Sequence, residues 1–172
     1  MLFNHSKKTE DSDLTTLGST ELVEVFGIKN IPAKVDTGAD SSAIWASNID
    51  METDGTLSFF LFDEESPFYT GEKIETTDYQ AKSVRSSHGD SQIRYRVKLP
   101  IVLAGKSFTT SFTLADRSKN NFPILIGRRT LKGSFIVNVS KTTLSRKKDK
   151  RSTSLNEELK EDPYKFHRKY MK

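Results

Sequence analysis

The stretch Val35-Asp36-Thr37-Gly38-Ala39-Asp40 constrains this chain more than any other part of its sequence. It ends an apolar run with a carboxylate, and Gly38 then lets the backbone turn without a Cβ clash. Backbone N–H groups in such a turn can hydrogen-bond the carboxylate and hold it in place. Far downstream, Ile124-Leu125-Ile126-Gly127-Arg128-Arg129 is a second apolar run that ends in glycine and arginine. The two motifs together indicate a functional loop that carries Asp36.

A carboxylate held in this way is half of a two-acid site. Two carboxyl groups at close range share one proton, because both cannot ionise together, and such a pair can activate water. The sequence contains no second Asp-Thr-Gly or Asp-Ser-Gly. If Asp36 performs this chemistry, two copies of the chain must meet at a two-fold axis.

The composition excludes several other kinds of site. The chain has no cysteine, which removes disulfides and thiolate metal ligands together. Its three histidines, His5, His88 and His167, are too widely spaced for a local zinc motif. There is also no Gly-rich phosphate-binding loop of the GxxxxGK[ST] kind. We therefore expect no metal and no cofactor.

Length and charge divide the chain into three parts. With 172 residues and 34% hydrophobic content, we expect one domain with a modest core and polar ends. We expect a flexible arm over residues 1–18, a domain over 19–140, and a basic, disordered tail over 141–172. The tail carries 11 Lys and Arg against 5 Asp and Glu. The N-terminus has no apolar signal region and no window could span a membrane, so we expect a cytoplasmic protein.

Short apolar runs between turn signals predict an all-β domain. Residues 22–28 and 31–35 give two strands, and Ile93 to Leu99 alternate apolar and basic residues with a period of two. Ala104-Gly105-Lys106 is typical of a hairpin turn. Residues 128–132 fit one helical turn that Gly133 ends. Within the tail, Leu155 to Lys160 has a helical pattern whose apolar face is too thin to pack alone.

These motifs resemble those of the retropepsins, the retroviral type of aspartic protease. They are most similar to a bacterial retropepsin-like family that has been called ATP-dependent zinc proteases and occurs with ATP-grasp glutamate ligases. The resemblance covers about residues 20–140. It rests on Lys34 to Ala46, on Ser87-His88-Gly89 with Arg94 to Val97, and on Leu114 to Arg117 followed by Phe122 to Leu131. It implies a closed β-barrel with one short helix after Ile-Leu-Ile-Gly.

The resemblance also implies roles for the residues of the Asp36 loop. Asp36 from each subunit would be catalytic, and Thr37 would hydrogen-bond across the dimer axis. Gly38 and Ala39 would line the loop, with Ala39 next to the substrate backbone. Asp40 would pair with Arg128, whose planar guanidinium suits a carboxylate. The alternative is two unrelated surface charges.

Two further segments follow from the resemblance. Ile126, Gly127 and Arg128 would support the Asp36 loop from below. Residues 80–97 predict a β-hairpin whose tip, with Ser87, His88 and Gly89, corresponds to the family's flap, a lid that excludes water from substrate. His88 is more simply an exposed turn residue than a catalytic one. Residues 51–77 are extra relative to the compact retroviral enzymes, and residues 64–73 fit a second loop over the cleft.

The sequence therefore predicts a homodimeric aspartic endopeptidase that hydrolyses peptide or protein substrates between two Asp36 carboxylates. One alternative is a peptide-binding or regulatory module that keeps the fold, is weakly active or inactive, and is linked to ribosomal-protein modification. Asp36 can also be a turn residue that only caps backbone N–H groups. A third alternative is weak nucleic-acid contact through the basic tail, whose Lys and Arg residues would bind phosphate in a salt-dependent way. Strand residues 135–139 are the candidate for the dimer interface.

Overall fold

The computed structural model describes residues 14–85, 91–144 and 150–171 of a mostly β chain. The strands are β1 (Thr15–Leu17), β2 (Thr20–Val25), β3 (Ile28–Val35), β4 (Ser42–Met51), β5 (Leu57–Leu61), β6 (Lys73–Thr76), β7 (Tyr79–Arg85), β8 (Ser91–Leu103), β9 (Lys106–Ala115), β10 (Ile124–Ile126) and β11 (Phe135–Val137). The helices are α1 (Arg128–Leu131), α2 (Lys150–Glu161) and α3 (Pro163–Tyr170).

Six of these strands close a barrel. Around the ring the order is β10, β3, β2, β8, β9 and β4, and β4 pairs with β10 to complete the circle. β5 and β6 extend the sheet outward from β4. The short helix α1 follows β10 at once. The predicted all-β, retropepsin-like closed barrel with one short helix after the Ile-Leu-Ile-Gly motif is confirmed.

The barrel is filled by side chains that alternate along each strand. In the barrel part of β8 every second residue is buried, as the period of two predicts: Val97, Leu99, Ile101 and Leu103. Lys98 between them is exposed. In the hairpin part of β8, by contrast, Ile93 is exposed. Phe59, Phe62 and Phe112 are the bulkiest fully buried side chains. Burying an aromatic or branched aliphatic side chain contributes about 1.5–3 kcal/mol, so this cluster supplies the main stabilisation of the fold.

The run predicted as one strand over residues 22–28 is two strands joined by a tight turn. Val25 pairs with Ile28 across the hairpin. Phe26 and Gly27 between them have φ values of 52° and 80°. Two consecutive positive φ values form the turn that matches the right-handed twist of a hairpin. The sequence pattern did not predict this turn, because Phe26 is aromatic and aromatic residues ordinarily favour strands.

β8 belongs both to the barrel and to the β7–β8 hairpin. Its C-terminal part pairs with β2 and β9 in the barrel, whereas its N-terminal part pairs with β7. The β7–β8 register runs from Tyr79 opposite Val97 to Arg85 opposite Ser91. The hairpin predicted over residues 80–97 is thus present. Its tip, with Ser87, His88 and Gly89, lies outside the described residues.

The described parts of the predicted flexible arm and disordered tail, residues 14–18, 141–144 and 150–171, contain ordered structure. Thr15–Leu17 forms β1, which pairs in parallel with β11, and Leu17 is fully buried. After β11, the chain crosses back over β2: Ser19 N–H donates to Lys141 O at 2.8 Å, and the hydroxyls of Thr20 and Thr142 lie 2.6 Å apart. Backbone pairing therefore orders residues 15–18 and 141–144 without a strong apolar pattern.

The tail also contains two helices, where the sequence predicts disorder. Pro163 begins α3, and Asp162 Oδ1 accepts the N–H of Lys165 at 2.9 Å as a cap. Glu158 of α2 accepts hydrogen bonds from Lys169 Nζ at 2.7 Å and Tyr170 Oη at 2.9 Å. These polar contacts hold α2 against α3, although α2 has only a thin apolar face for packing. In the described part of the chain, no helix is long and apolar enough to span a membrane.

Candidate active site

Asp36 lies where two parallel strands end side by side. Val35 at the end of β3 pairs with Ile126 at the end of β10. Asp36 N–H then donates to Ile126 O at 2.9 Å. The two motifs singled out in the sequence are therefore neighbours in the barrel, with the Asp36 loop leaving one strand and Gly127 leaving the other.

Backbone donors hold one oxygen of the Asp36 carboxylate. Oδ1 accepts the N–H groups of Gly38 at 2.9 Å and Ala39 at 3.3 Å. Ala39 N–H also lies 3.2 Å from Asp36 O. A Cβ on Gly38 would sit 3.2 Å from Oδ1, which leaves little space for a side chain there. Within the described residues no group donates to Oδ2, so this oxygen of the half-buried carboxylate can accept a further hydrogen bond.

Gly127 packs directly under the loop. A Cβ there would lie 2.5 Å from Ser41 C and 3.0 Å from Ala39 O. Immediately after it, Arg128 N–H donates to Ala39 O at 2.8 Å, and Arg129 N–H lies 3.3 Å from Asp40 O. The start of α1 and the Asp36 loop are thus joined backbone to backbone. Glycine is required at position 127 for space.

A buried hydroxyl network supports this junction. Ser42 Oγ accepts the N–H of Gly127 at 3.0 Å and lies 2.7 Å from Thr130 Oγ1. Thr130 Oγ1 lies 2.9 Å from Thr110 Oγ1, and Thr113 Oγ1 donates to Ser42 O at 3.2 Å. These hydroxyl residues were not predicted as part of the site. Thr130 lies on α1 and Thr110 in a hydroxyl-rich part of β9, so no local pattern distinguishes them.

Asp40 contacts both arginines of α1. Arg129 Nη2 lies 3.1 Å from Oδ2, closer than Arg128 Nη2, which lies 3.7 Å from Oδ1. The hydrogen bond from Arg129 is the main cause that lowers the pKa of Asp40 from its ordinary value, with smaller contributions from the charges of Arg129, Lys82 and Arg128. The predicted Asp40–Arg128 contact is present. The closer partner, Arg129, was not predicted.

The β7–β8 hairpin presents a basic face. Lys82 pairs with Arg94 and Gln80 pairs with Arg96, so these side chains project from the same side of the hairpin. Lys82 is near enough to Asp40 for its charge to lower the pKa of that carboxyl group. The basic face is therefore directed toward the loop after Asp36.

A polar cavity of about 340 Å³ lies beside this loop. It is lined by three basic and four hydroxyl side chains: Ser41, Arg96, Lys98, Thr109, Thr110, Ser111 and Arg129. No acidic residue is among the lining residues that the structure describes. Lys98 and Arg129 are paired with Asp78 and Asp40, whereas Arg96 contacts the neutral Gln80. The cavity suits an anion.

The remaining predicted residues are placed as follows. Thr37 is exposed at the top of the loop. Ile126 is fully buried in the barrel. Residues 64–73 pack back on β5, with Phe68 near Phe62 and Tyr69 near Phe60. Among the described residues, no group of three or more His, Cys, Asp and Glu could hold a metal ion.

Comparison with known proteins gives a family match over most of the chain. A family model described as the retropepsin-like aspartic endopeptidase RimB matches residues 16–148. A protein from Shewanella pealeana named "Probable alpha-L-glutamate ligase" is 30% identical over 124 residues, which are 68% of this chain and 26% of that protein. One of the same name from Desulfotalea psychrophila is 29% identical over 115 residues, or 65% of this chain and 25% of that protein. The chain thus spans about a quarter of these relatives.

A solved structure matches more evenly. A protein of unknown function from Legionella pneumophila is 26% identical and superposes with a TM-score of 0.58. The match covers 74% of this chain and 95% of the Legionella chain. That protein therefore consists of little beyond the shared fold.

Proposed function

The chain belongs to the RimB-like family of retropepsin-like aspartic endopeptidases, and we propose that it is itself an aspartic endopeptidase that acts as a homodimer. The observation that carries the proposal is the Asp36 loop. Its carboxylate accepts two backbone N–H groups through one oxygen, which fixes the group and leaves the other oxygen available. Because the sequence has one Asp-Thr-Gly, the second carboxylate must come from a second copy.

The reaction follows from two such carboxylates around one water. The ionised acid takes a proton from the water as the water oxygen attacks the peptide carbonyl carbon. The protonated acid hydrogen-bonds the carbonyl oxygen, on which negative charge develops. Collapse of the tetrahedral intermediate breaks the C–N bond, and a proton passes to the leaving amine. The two pKa values that govern this cycle belong to the pair of acids.

The charge around the loop favours an acidic peptide as substrate. Lys82, Arg94 and Arg96 on the hairpin and the cavity beside Asp40 form a basic wall. The relatives from Shewanella and Desulfotalea support the same inference, since they are named as probable α-L-glutamate ligases. A domain joined to such a ligase would encounter glutamyl peptides. We therefore propose glutamate-rich segments of peptides or proteins as the preferred substrate.

The test compares wild type with Asp36→Asn on a peptide library that includes glutamate-rich members, read by mass spectrometry from pH 4 to 8. We expect wild type to cleave acidic peptides and Asp36→Asn to cleave none while keeping the fold. Asp54→Asn is the matched control, because Asp54 Oδ1 also accepts the N–H of the residue two positions on, Thr56, at 2.9 Å. The control should stay active.

Two outcomes would contradict the proposal. Hydrolysis retained by Asp36→Asn would exclude the two-carboxylate mechanism. Binding of acidic peptides without cleavage, by protein shown to be dimeric, would favour the alternative of a peptide-binding or regulatory module with the same fold. Such a module should tolerate Asp36→Asn.

A further inference from the structure

Arg117 is a half-buried cation in the loop between β9 and β10. The loop fixes it by its own hydrogen bonds. Arg117 Nε donates to Phe122 O at 3.0 Å, and Asn120 N–H donates to Arg117 O at 2.9 Å. The guanidinium plane is therefore oriented by backbone atoms, and its two terminal amino groups are left for another partner.

No carboxylate neutralises Arg117 in the part of the chain that the structure describes. Its neighbour in sequence, Asp116, is already engaged, because Asp116 Oδ1 accepts the N–H of Ser118 at 2.9 Å. A charge that is partly removed from water and lacks a counter-ion is unfavourable. Such a group is placed where an anion can reach it.

A second arginine, Arg94, lies on the strand beside the start of this loop. Arg96 pairs with Thr113, so the same register brings Arg94 level with Ala115, where β9 ends and the Arg117 loop begins. Arg94 projects from the basic face of the hairpin, and its Nε donates to Gln92 Oε1 at 2.8 Å. It also forms no ion pair with a carboxylate in the described residues. Burial, and then the charge of Arg94, lower the pKa of Arg117 below its ordinary value. Two cations, one on the hairpin and one on the barrel, thus repel each other when the site is empty.

We propose that Arg94 and Arg117 together bind one side-chain carboxylate of the peptide. This inference rests on the proposed acidic substrate and names the residues that would select it. Each guanidinium uses its Nε within its own segment and can direct its terminal amino groups at the two carboxylate oxygens. A carboxylate bound between the two arginines attracts both of them and so offsets their mutual repulsion.

The position of Arg117 ties this contact to the catalytic loop. Its loop leads through Pro123, whose O accepts the N–H of Trp45 at 2.9 Å, into β10 and so to Gly127. Arg94 belongs to the part of β8 that pairs with β7 in the hairpin, and Arg117 belongs to the β9–β10 loop of the barrel. A carboxylate bound by both arginines would therefore link the hairpin to the barrel.

The test is a binding experiment that does not depend on hydrolysis. The probe is a fluorescein-labelled seven-residue glutamate peptide with a C-terminal amide, and its affinity for the inactive Asp36→Asn protein is measured by fluorescence anisotropy. Each glutamate is then changed to glutamine in turn. We expect one position at which this change weakens binding by about 10–100-fold. Adding Arg117→Gln should reduce that positional effect to less than about twofold.

Arg85→Gln is the matched control. It removes the same charge as Arg117→Gln, and Arg85 is exposed on the other side of the same hairpin. It should leave the positional effect intact. Equal weakening for every peptide by Arg117→Gln and Arg85→Gln would overturn the proposal, as would the absence of any position at which glutamine weakens binding. If Arg117→Gln does not fold, Arg117→Lys and Arg94→Gln are used in the same cycle.

The unfolding temperature of the peptide-free protein separates this role from a structural one. Arg94→Gln should raise it slightly, because the substitution removes repulsion of Arg117. A fall would contradict the assigned relation between the two arginines. The binding result and the catalytic result are also independent. Positional selectivity without cleavage by wild type would refute the peptidase and keep the carboxylate site, whereas cleavage without positional selectivity would do the reverse.

Discussion

At the scale of single residues, Gly127 sets how closely two segments approach in the candidate site. Its φ of −93° is open to any residue, so the requirement for glycine comes from the backbone of Ala39 and Ser41 above it. We expect Gly127→Ala to destabilise the fold by about 3 kcal/mol, because neither backbone segment can move without breaking the hydrogen bonds between them. Urea denaturation measures the change.

The control for this prediction is Gly105→Ala in the β8–β9 turn. Gly105 has a φ of 78° and nothing within 4 Å of an added Cβ, so it isolates conformational strain from steric overlap. We expect it to cost about 1 kcal/mol. A Gly127→Ala loss no larger than that of Gly105→Ala would contradict the packing argument.

Asp40 is the residue whose protonation should report on α1. Its pKa is lowered mainly by Arg129. A lowered pKa means that the ion pairs contribute stability above about pH 4, and that this contribution is lost as the pH falls through the folded-state pKa. The difference in unfolding temperature between wild type and Asp40→Asn should therefore be constant above about pH 4 and shrink below it.

The two arginines can be separated by NMR titration of the Asp40 carboxyl carbon. Arg129→Gln should raise the pKa of Asp40 more than Arg128→Gln, because the Arg129 guanidinium is closer, at 3.1 Å against 3.7 Å. Equal rises would show that the ion pairs in solution differ from this arrangement.

At the scale of elements, the base of the β7–β8 hairpin is anchored to the β4–β5 turn by Tyr79. Its Oη donates to Gly55 O at 2.8 Å, and its ring meets Tyr95 edge to face at 5.7 Å. We expect Tyr79→Phe to cost about 1 kcal/mol, since it removes one hydrogen bond from a half-buried group and keeps the ring. Hydrogen exchange of the β7 and β8 amides should quicken, because the hairpin opens more readily from its base.

Tyr69→Phe provides the control. Tyr69 is a half-buried tyrosine that packs on Phe60, and in the described structure its hydroxyl makes no hydrogen bond. It should change neither stability nor exchange in the hairpin. An unchanged exchange rate in Tyr79→Phe would show that the ring alone anchors the hairpin.

At the scale of the whole molecule, the proposed dimer makes activity depend on pairs of chains. If both carboxylates are needed, a subunit with Asp36→Asn inactivates its partner. After equal amounts of wild type and Asp36→Asn have exchanged subunits, the mixture should have about a quarter of the activity of the same total amount of pure wild type. Half of that wild-type activity would mean that each chain works alone.

The surfaces available for a partner also appear at this scale. β11 lies at an edge beside β1, and Ile136 on it is 45% exposed while Val139 beyond it is 79% exposed. The dimer interface through residues 135–139 stays a prediction. Nucleic-acid contact through the basic tail also stays a prediction. Within this tail, Arg168 of α3 lies over the ring of Tyr164 at 5.9 Å.

Local patterns in the sequence determined much of this fold and the centre of its candidate site. The alternation on β8, the glycine turn at Gly105 and the helix after Gly127 were all readable, because each depends on near neighbours in the chain. The loop of Asp36 was readable for the same reason. A carboxylate followed by glycine creates its own backbone donors within three residues.

Tertiary structure decided what depends on distant segments. Arg129 rather than Arg128 lies nearest Asp40, because the turn of α1 directs both side chains and sequence spacing cannot rank them. Ser42 became a support of Gly127 only when the strands of the barrel closed. Arg94 and Arg117 are 23 positions apart in the sequence. Only the pairing of β8 with β9 brings the two positive charges near each other. Contacts of this kind depend on how distant strands pair when the barrel closes. A pattern among neighbouring residues in the sequence cannot predict that pairing.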